Sequence, residues 1–319
     1  MNEQRFYFLK FPDDDIADYW TSGNNPTGEK CVAVYFGDAK AQEIREKTVA
    51  DKLELGQRRG GLNTFFTACE LAPGQTAFVV FQDEHVRFLK PKSEVQDLSD
   101  AWRNEYNKRW TRQAQVDGKE QYPKVCYTIE MKHLVRWQLP YVLATSDADQ
   151  SLNRVTCRQY SKPCHLNALK RVFGQALPRP NDARSLLENL GPIELETLVF
   201  LIFHHRGLFC PANRGSTIKN VDILVYHWDR PSGDFPGLGP VRFNEQATMF
   251  QVKHGSASVP KNIDYLVTLH GPSDPKVLDG EWLMRATTTN DDCFQWLKNA
   301  LSWTGWSGEV WDEVRRTYR

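Results

Sequence analysis

Short runs dense in aromatic and β-branched residues mark the first 92 residues. RFYFLKF, KCVAVYFG, QTAFVVFQ and EHVRFLK each read as a strand, and Gln82-Asp83-Glu84 reads as a tight connection between the last two. Between the second and third runs, AKAQEIREKTVADKLELG has the pattern of a helix stopped by Gly56. From residue 98 to about 116, Trp102, Tyr106 and Trp110 recur four apart, which predicts one apolar helix face backed by Arg103, Lys108, Arg109 and Arg112. YPKVCYTIEMKHLVRW begins strand-like, and CRQYSKPCHLNALKRVFG ends in a short basic helix.

The pattern changes after GQALPRPNDARS, which holds two prolines and little apolar content and predicts a domain boundary. IELETLVFLIFHHRG reads as a buried helix stopped at His204-His205, two residues suited to the negative end of a helix dipole. Three strand-like runs follow, VDILVY, MFQVKH and IDYLVT, and the chain closes on helices carrying Trp296, Trp303, Trp306 and Trp311. The expected organisation is an α+β domain over 1–175, β-rich to 92 and helical over 98–174. A linker over 176–190 and an α/β domain over 191–319 complete it. Short strands in the first domain suit a small barrel-like module.

Composition narrows the class. Of 319 residues, 40% are apolar and 12% aromatic, enough for a sizeable core, and the formal net charge is zero. Nucleic acid would therefore have to meet local basic patches and not a polycation. No apolar run reaches the roughly 18 residues of a membrane span, and MNEQRFYFLKFPDDD lacks the basic and apolar regions of a secretory signal. Seven cysteines without CxxC spacing read as reduced thiols in a cytoplasmic protein. Cys157, Cys164 and His165 match no standard zinc spacing, and no phosphate-binding loop, dinucleotide fingerprint or serine-hydrolase elbow is present.

Asp222 is the residue that most needs explaining. A carboxylate in the apolar run VDILVY costs on the order of several kcal/mol unless it is paired, hydrogen-bonded or metal-bound. Gln251 and Lys253, two apart on a strand, project on one face. If the two strands are neighbours, the three side chains converge in a group able to hold a divalent metal and a hydrolytic water.

An acidic residue early in a helix (Glu196), a strand Asp (Asp222) and Gln251-Val252-Lys253 on the next strand, in that order, resemble the Mrr-type branch of the PD-(D/E)xK nucleases. The resemblance covers about residues 190–270. It implies a restriction-endonuclease-like mixed sheet flanked by helices, and metal-dependent hydrolysis of phosphodiester bonds. Mg²⁺ or Mn²⁺ would be held by Asp222, Gln251 and Val252, with the Gln251 amide oxygen standing in for a second carboxylate. Lys253 would orient the attacking water or hold charge developing on phosphorus, and Glu196 would position metal-bound water. Glu194 competes for the role of Glu196. The implied setting is prokaryotic defence against foreign or modified double-stranded DNA, perhaps with a partner protein of that system; a homodimer would suit double-strand cleavage. An RNA-directed nuclease, or a retired nuclease fold that only binds, uses the same residues. The family's usual glycines before its Asp are replaced by Thr217-Ile218-Lys219-Asn220, and the gap between the two strands is long. In the first domain, Arg58, Arg59, Asn63 and Phe65 are the expected substrate contacts, cations for phosphate and an aromatic to stack a flipped-out base. The alternative there is a core aromatic beside solvated arginines.

Overall fold

The computed structural model of the protein describes residues 4–11, 14–25, 28–35, 41–42, 60–70, 75–98, 115–116, 119–120, 123–148, 156–211, 220–226, 233–234, 238–244, 247–255, 257–271 and 273–319. The expected helices over 39–56 and 98–116 lie almost wholly outside these residues. The chain divides into two compact units, Met1–Ser161 and Lys162–Arg319.

The first unit is built on a mixed sheet. Its strands are β1 (Arg5–Leu9), β2 (Cys31–Tyr35), β3 (Thr76–Gln82), β4 (His85–Pro91), β5 (Gln96–Asp97), β6 (Pro123–Val135) and β7 (Cys157–Gln159). They run in the order β2-β6-β4-β3-β1-β7, with β5 also on β6. Only β1–β3 is parallel, Tyr7 facing Phe78. The β3–β4 hairpin turns at Asp83-Glu84, where Asp83 takes φ 43°, a left-handed conformation that aspartate tolerates. β6 serves β4 with one end and β2 and β5 with the other, and the register slips between Phe88 and Leu89. Such a bulge bends a sheet, and this one curls into a half-barrel. Inside lie helices α1 (Asp14–Thr21) and α2 (Gly60–Glu70), whose Trp20, Phe65 and Ala68 pack with Tyr7, Leu9, Phe78 and Val80. Behind them in the chain, a 3₁₀ turn at Arg136–Gln138 leads into the single-turn helix α3 (Tyr141–Ala144). The span 98–174, expected to be helical, instead contains the 13-residue strand β6, because PKVCYTIEMKHLV alternates β-branched and polar residues.

The second unit begins earlier than its expected start. Helix α4 (Pro163–Val172) belongs to it, and Arg171 Nε donates to the Trp303 carbonyl at 3.3 Å. The stretch 176–190, expected as a linker, carries helix α5 (Ala183–Leu187), with Leu186, Leu187 and Leu190 fully buried in the core. Asp182 caps α5 by accepting from Ser185 N at 2.7 Å, a capping box concealed among the prolines. Helix α6 (Pro192–His204) follows, started by proline in its first turn.

Four strands form the sheet of this unit: β8 (Ile223–Tyr226), β9 (Ala247–Lys253), β10 (Tyr265–Thr268) and β11 (Val277–Leu278). β8 is antiparallel to β9, Ile223 facing Phe250, whereas β9–β10 and β10–β11 are parallel. Helices α7 (Gly280–Thr288), α8 (Asp291–Ala300) and α9 (Gly308–Tyr318) complete the unit. Strand side chains Ile223, Val225, Phe250, Val252 and Val267 join helix side chains Leu198, Ile202, Phe203 and Leu297 in one core. Phe203 sits 4.6 Å from Phe250, ring to ring. The four tryptophans are core: Trp311 is buried, and Trp296, Trp303 and Trp306 pack half-buried against the same cluster. All seven cysteines are buried free thiols.

Candidate active site

The strands bearing Asp222 and Lys253 are hydrogen-bonded neighbours, and their ends meet. Asp222 lies one residue before β8, not inside it, and its N–H donates to the Phe250 carbonyl at 2.9 Å. Its carboxylate then takes over from the ladder. Oδ2 accepts the Val252 N–H at 2.8 Å, where a regular strand would offer a main-chain carbonyl. The same oxygen lies 3.5 Å from Lys253 Nζ. Oδ1 accepts no hydrogen bond among the described residues. The side chain of Asp222 is 13% exposed and that of Lys253 is 42% exposed, so the pair faces solvent through its cation.

Chain geometry brings Asp222 into this position. Asn220, two residues before it, adopts φ 66°. Asparagine is among the few residues with a side chain that enter the left-handed region readily, so it supplies the turn for which the resembled family uses glycine. Thr217, Ile218 and Lys219 lie outside the described residues.

Glu196 reaches the same end of the sheet from the first turns of α6. Burial is the main cause holding its carboxyl above the ordinary carboxylate range; the Asp222 charge pushes the same way and Lys253 opposes both. Glu194 is assigned elsewhere. It is 5% exposed, its Oε2 accepts the Gly191 N–H at 2.6 Å, and burial raises its pKa to about 7. That is a helix cap, and the competition between the two glutamates resolves in favour of Glu196. The signal was in the sequence: a carboxylate three residues after the N-cap, behind Pro192, is a capping pattern. Gln251 shares the Lys253 side of the strand by alternation but is only 5% exposed. Val252 buries its side chain in the core, so towards a ligand it offers its carbonyl alone.

Glu196, Asp222, Gln251 and Lys253 thus come from one helix and two strands to one rim. Among the described residues, no group of three or more His, Cys, Asp or Glu is placed to hold a metal ion. Two carboxylates in electrostatic reach, one with an open oxygen, plus an amide and a main-chain carbonyl nevertheless fit Mg²⁺, which binds through one or two carboxylates and keeps several waters.

The expected contacts in the first unit fare differently. Phe65 is fully buried, 5.6 Å from the ring of Phe78, so neither face is left to stack a base. It is core because it stands on the inward side of α2. The main chain of Asn63 is part of that helix, its side chain lies outside the described residues, and so do Arg58 and Arg59. Unforeseen in the sequence was an ion pair beside the candidate site, His270 Nε2 to Glu188 Oε1 at 3.0 Å. Its partners are 82 residues apart and belong to no shared motif.

Comparison with protein-family models, with curated proteins and with solved structures finds no match for this chain.

Proposed function

We propose that the second unit is a metal-dependent nuclease that hydrolyses phosphodiester bonds, with double-stranded DNA as the substrate the resemblance favours and defence against foreign or modified DNA as its setting. The observation that carries this reading is the convergence of Glu196, Asp222 and Lys253 from three separate elements, with Lys253 Nζ 3.5 Å from an Asp222 oxygen and Glu196 in the field of both. Surface ion pairs are common, but a second carboxylate held next to the first is unfavourable for stability and suits a cation.

Asp222 Oδ1, Glu196, the Gln251 amide oxygen and the Val252 carbonyl would hold the ion. A bound Mg²⁺ or Mn²⁺ supplies Lewis-acid stabilisation of phosphoryl charge and a more acidic water. Lys253 presents a compact cation, 42% exposed, towards the solvent side where a phosphate would arrive. Glu196, with its carboxyl biased towards the protonated form, is able to hand a proton to or take one from a water at this rim.

A second reading, a nucleic-acid-binding protein on a retired nuclease fold, is favoured by one detail. Asp222 Oδ2 is already spent on the Val252 N–H, a purely structural use of the residue. One assay separates the two: cleavage of modified and unmodified plasmid DNA, and of RNA, with Mg²⁺ or Mn²⁺ and an EDTA control, for the parent and Asp222→Asn. Asparagine keeps an acceptor for Val252 and removes the charge. Metal-dependent cutting lost in Asp222→Asn supports the nuclease and identifies its substrate; cutting that persists undiminished in that variant removes Asp222 from the site. Binding without cutting by a folded parent favours the retired fold.

A further inference from the structure

Past Lys253 the chain leaves β9 at His254, and one strand over it leaves β10 at Thr268 and reaches His270 two residues later. β9 and β10 are parallel, with Lys253 opposite Thr268, so both histidines follow the same end of the sheet as the Asp222–Lys253 pair. Neighbouring strands are about 5 Å apart, which makes the two rims continuous. Thr268 ties the segments together: its Oγ1 donates to the Gly255 carbonyl at 2.8 Å and accepts the His270 N–H at 3.2 Å.

His270 is steered from below. Its Nε2 meets Glu188 Oε1 at 3.0 Å, and that oxygen also accepts from Arg184 Nε at 2.8 Å. With Nε2 so occupied, Nδ1 is the nitrogen that changes its proton. His254 stands beside this group with one ring nitrogen donating to the Leu190 carbonyl. Its Nε2 is buried with no hydrogen-bond partner among the described residues. Burial holds the His254 imidazole below its ordinary range; Lys162 and His270 push the same way, and Glu188 and the Leu190 bond oppose. The charged groups around His270 are therefore Glu188 and Arg184 from the end of α5, Lys162 before α4, and a largely neutral His254. One carboxylate faces three cationic side chains when His270 is protonated.

We propose that this rim is a phosphate subsite of the nucleic-acid chain: His270, oriented by Glu188 and supported by Arg184 and Lys162, holds a phosphate neighbouring the one that reaches Lys253. This rests on the reading of the Asp222–Lys253 site as a phosphodiester hydrolase. The chemistry is a charge-assisted hydrogen bond from Nδ1–H of the imidazolium, with Glu188 fixing the ring plane and favouring its protonation. Arg184 spreads the carboxylate charge so that the incoming phosphate is not repelled. A subsite of this kind strengthens binding as pH falls through the histidine range, and adds to the salt dependence of binding.

The test uses the full chain carrying Asp222→Asn, so that binding is read without turnover. A short fluorescein-labelled DNA duplex and its RNA counterpart are titrated by anisotropy below and above the histidine range and over a series of salt concentrations, with circular dichroism as a check of folding. His270→Gln is expected to weaken binding roughly 3- to 10-fold at the lower pH, to have little effect at the higher, and to reduce the salt slope by about one. His270→Arg is expected to bind at both pH values, and Glu188→Gln to move the pH midpoint down. His270→Gln binding like its parent at every pH overturns the subsite, as does absence of nucleic-acid binding by every variant. Loss of the pH-dependent gain in a protein whose parent never cuts would keep the subsite and discard the hydrolase; cutting by the parent with no effect of His270→Gln would do the reverse.

Discussion

The Asp222 carboxylate joins two kinds of requirement. It closes the end of the β8–β9 ladder through the Val252 N–H at 2.8 Å, and it stands beside Lys253. Removing the side chain leaves that N–H without an acceptor, which costs about 1–3 kcal/mol. Asp222→Ala is therefore expected to lose both activity and stability, whereas Asp222→Asn loses activity and keeps most of its stability; thermal melts of the two variants beside the parent decide it. Equal melting temperatures for all three would show that the bond does not hold the strand end. Glu194 gives a pH-dependent counterpart. Its pKa rises from 4.5 to about 7 on folding because burial penalises the charge. The native state then binds the proton more tightly than the unfolded chain, so the stability this residue contributes falls as pH climbs from about 4.5 towards 7. Glutamine keeps the bond to Gly191 and cannot ionise. Urea melts of Glu194→Gln and the parent should diverge across that window, the variant becoming relatively more stable by roughly 2–3 kcal/mol. A constant difference would assign the carboxylate to a solvated place.

At the scale of elements, the sheet of the second unit is held by close packing at its turns as much as by its ladder. A Cβ on Gly271 would lie 2.6 Å from both Thr268 Cγ2 and Val277 Cγ1. Both neighbours are β-branched and stiff, so neither swings aside. Gly271→Ala should cost about 1–3 kcal/mol by overpacking and loosen the β10–β11 edge, detectable as a lowered denaturant midpoint with the cooperativity retained. The strands were legible in the sequence wherever β-branched and aromatic residues clustered, and the order Glu196, Asp222, Gln251, Lys253 located the candidate site before any geometry was known. What escaped was set by partners distant in sequence. The face of α2 that carries Phe65 looks like a reader's aromatic until Phe78 closes over it. The 176–190 stretch looks like a linker because its prolines speak louder than Leu186, Leu187 and Leu190, whose burial depends on the strands and helices that follow. Glu188 and His270 meet only because α5 and β10 end together.

The division of the whole chain after Ser161 carries a consequence for how the second unit can be isolated. Proline content alone suggests cutting near residue 176, but α4 would then be lost. That helix buries Cys164, His165, Ala168 and Leu169, and Arg171 reaches the Trp303 carbonyl at 3.3 Å. Burial of side chains this size is worth about 1.5–3 kcal/mol each for the larger ones, against a domain stability of only about 5–15 kcal/mol. A fragment over 162–319 is expected to fold cooperatively and to keep the ring contact of Phe203 with Phe250, whereas a fragment over 176–319 should melt several degrees lower or fail to show a cooperative transition. Near-ultraviolet circular dichroism with thermal melts of the two fragments makes the comparison, since Trp303 and Trp306 pack half-buried against this core. Equal melts would mean that α4 is an appendage and that the unit begins with α5. A stable 162–319 fragment also provides the cleanest protein for the nuclease assay, because any metal-dependent cutting it shows would have to arise from Glu196, Asp222, Gln251 and Lys253 without help from the first unit.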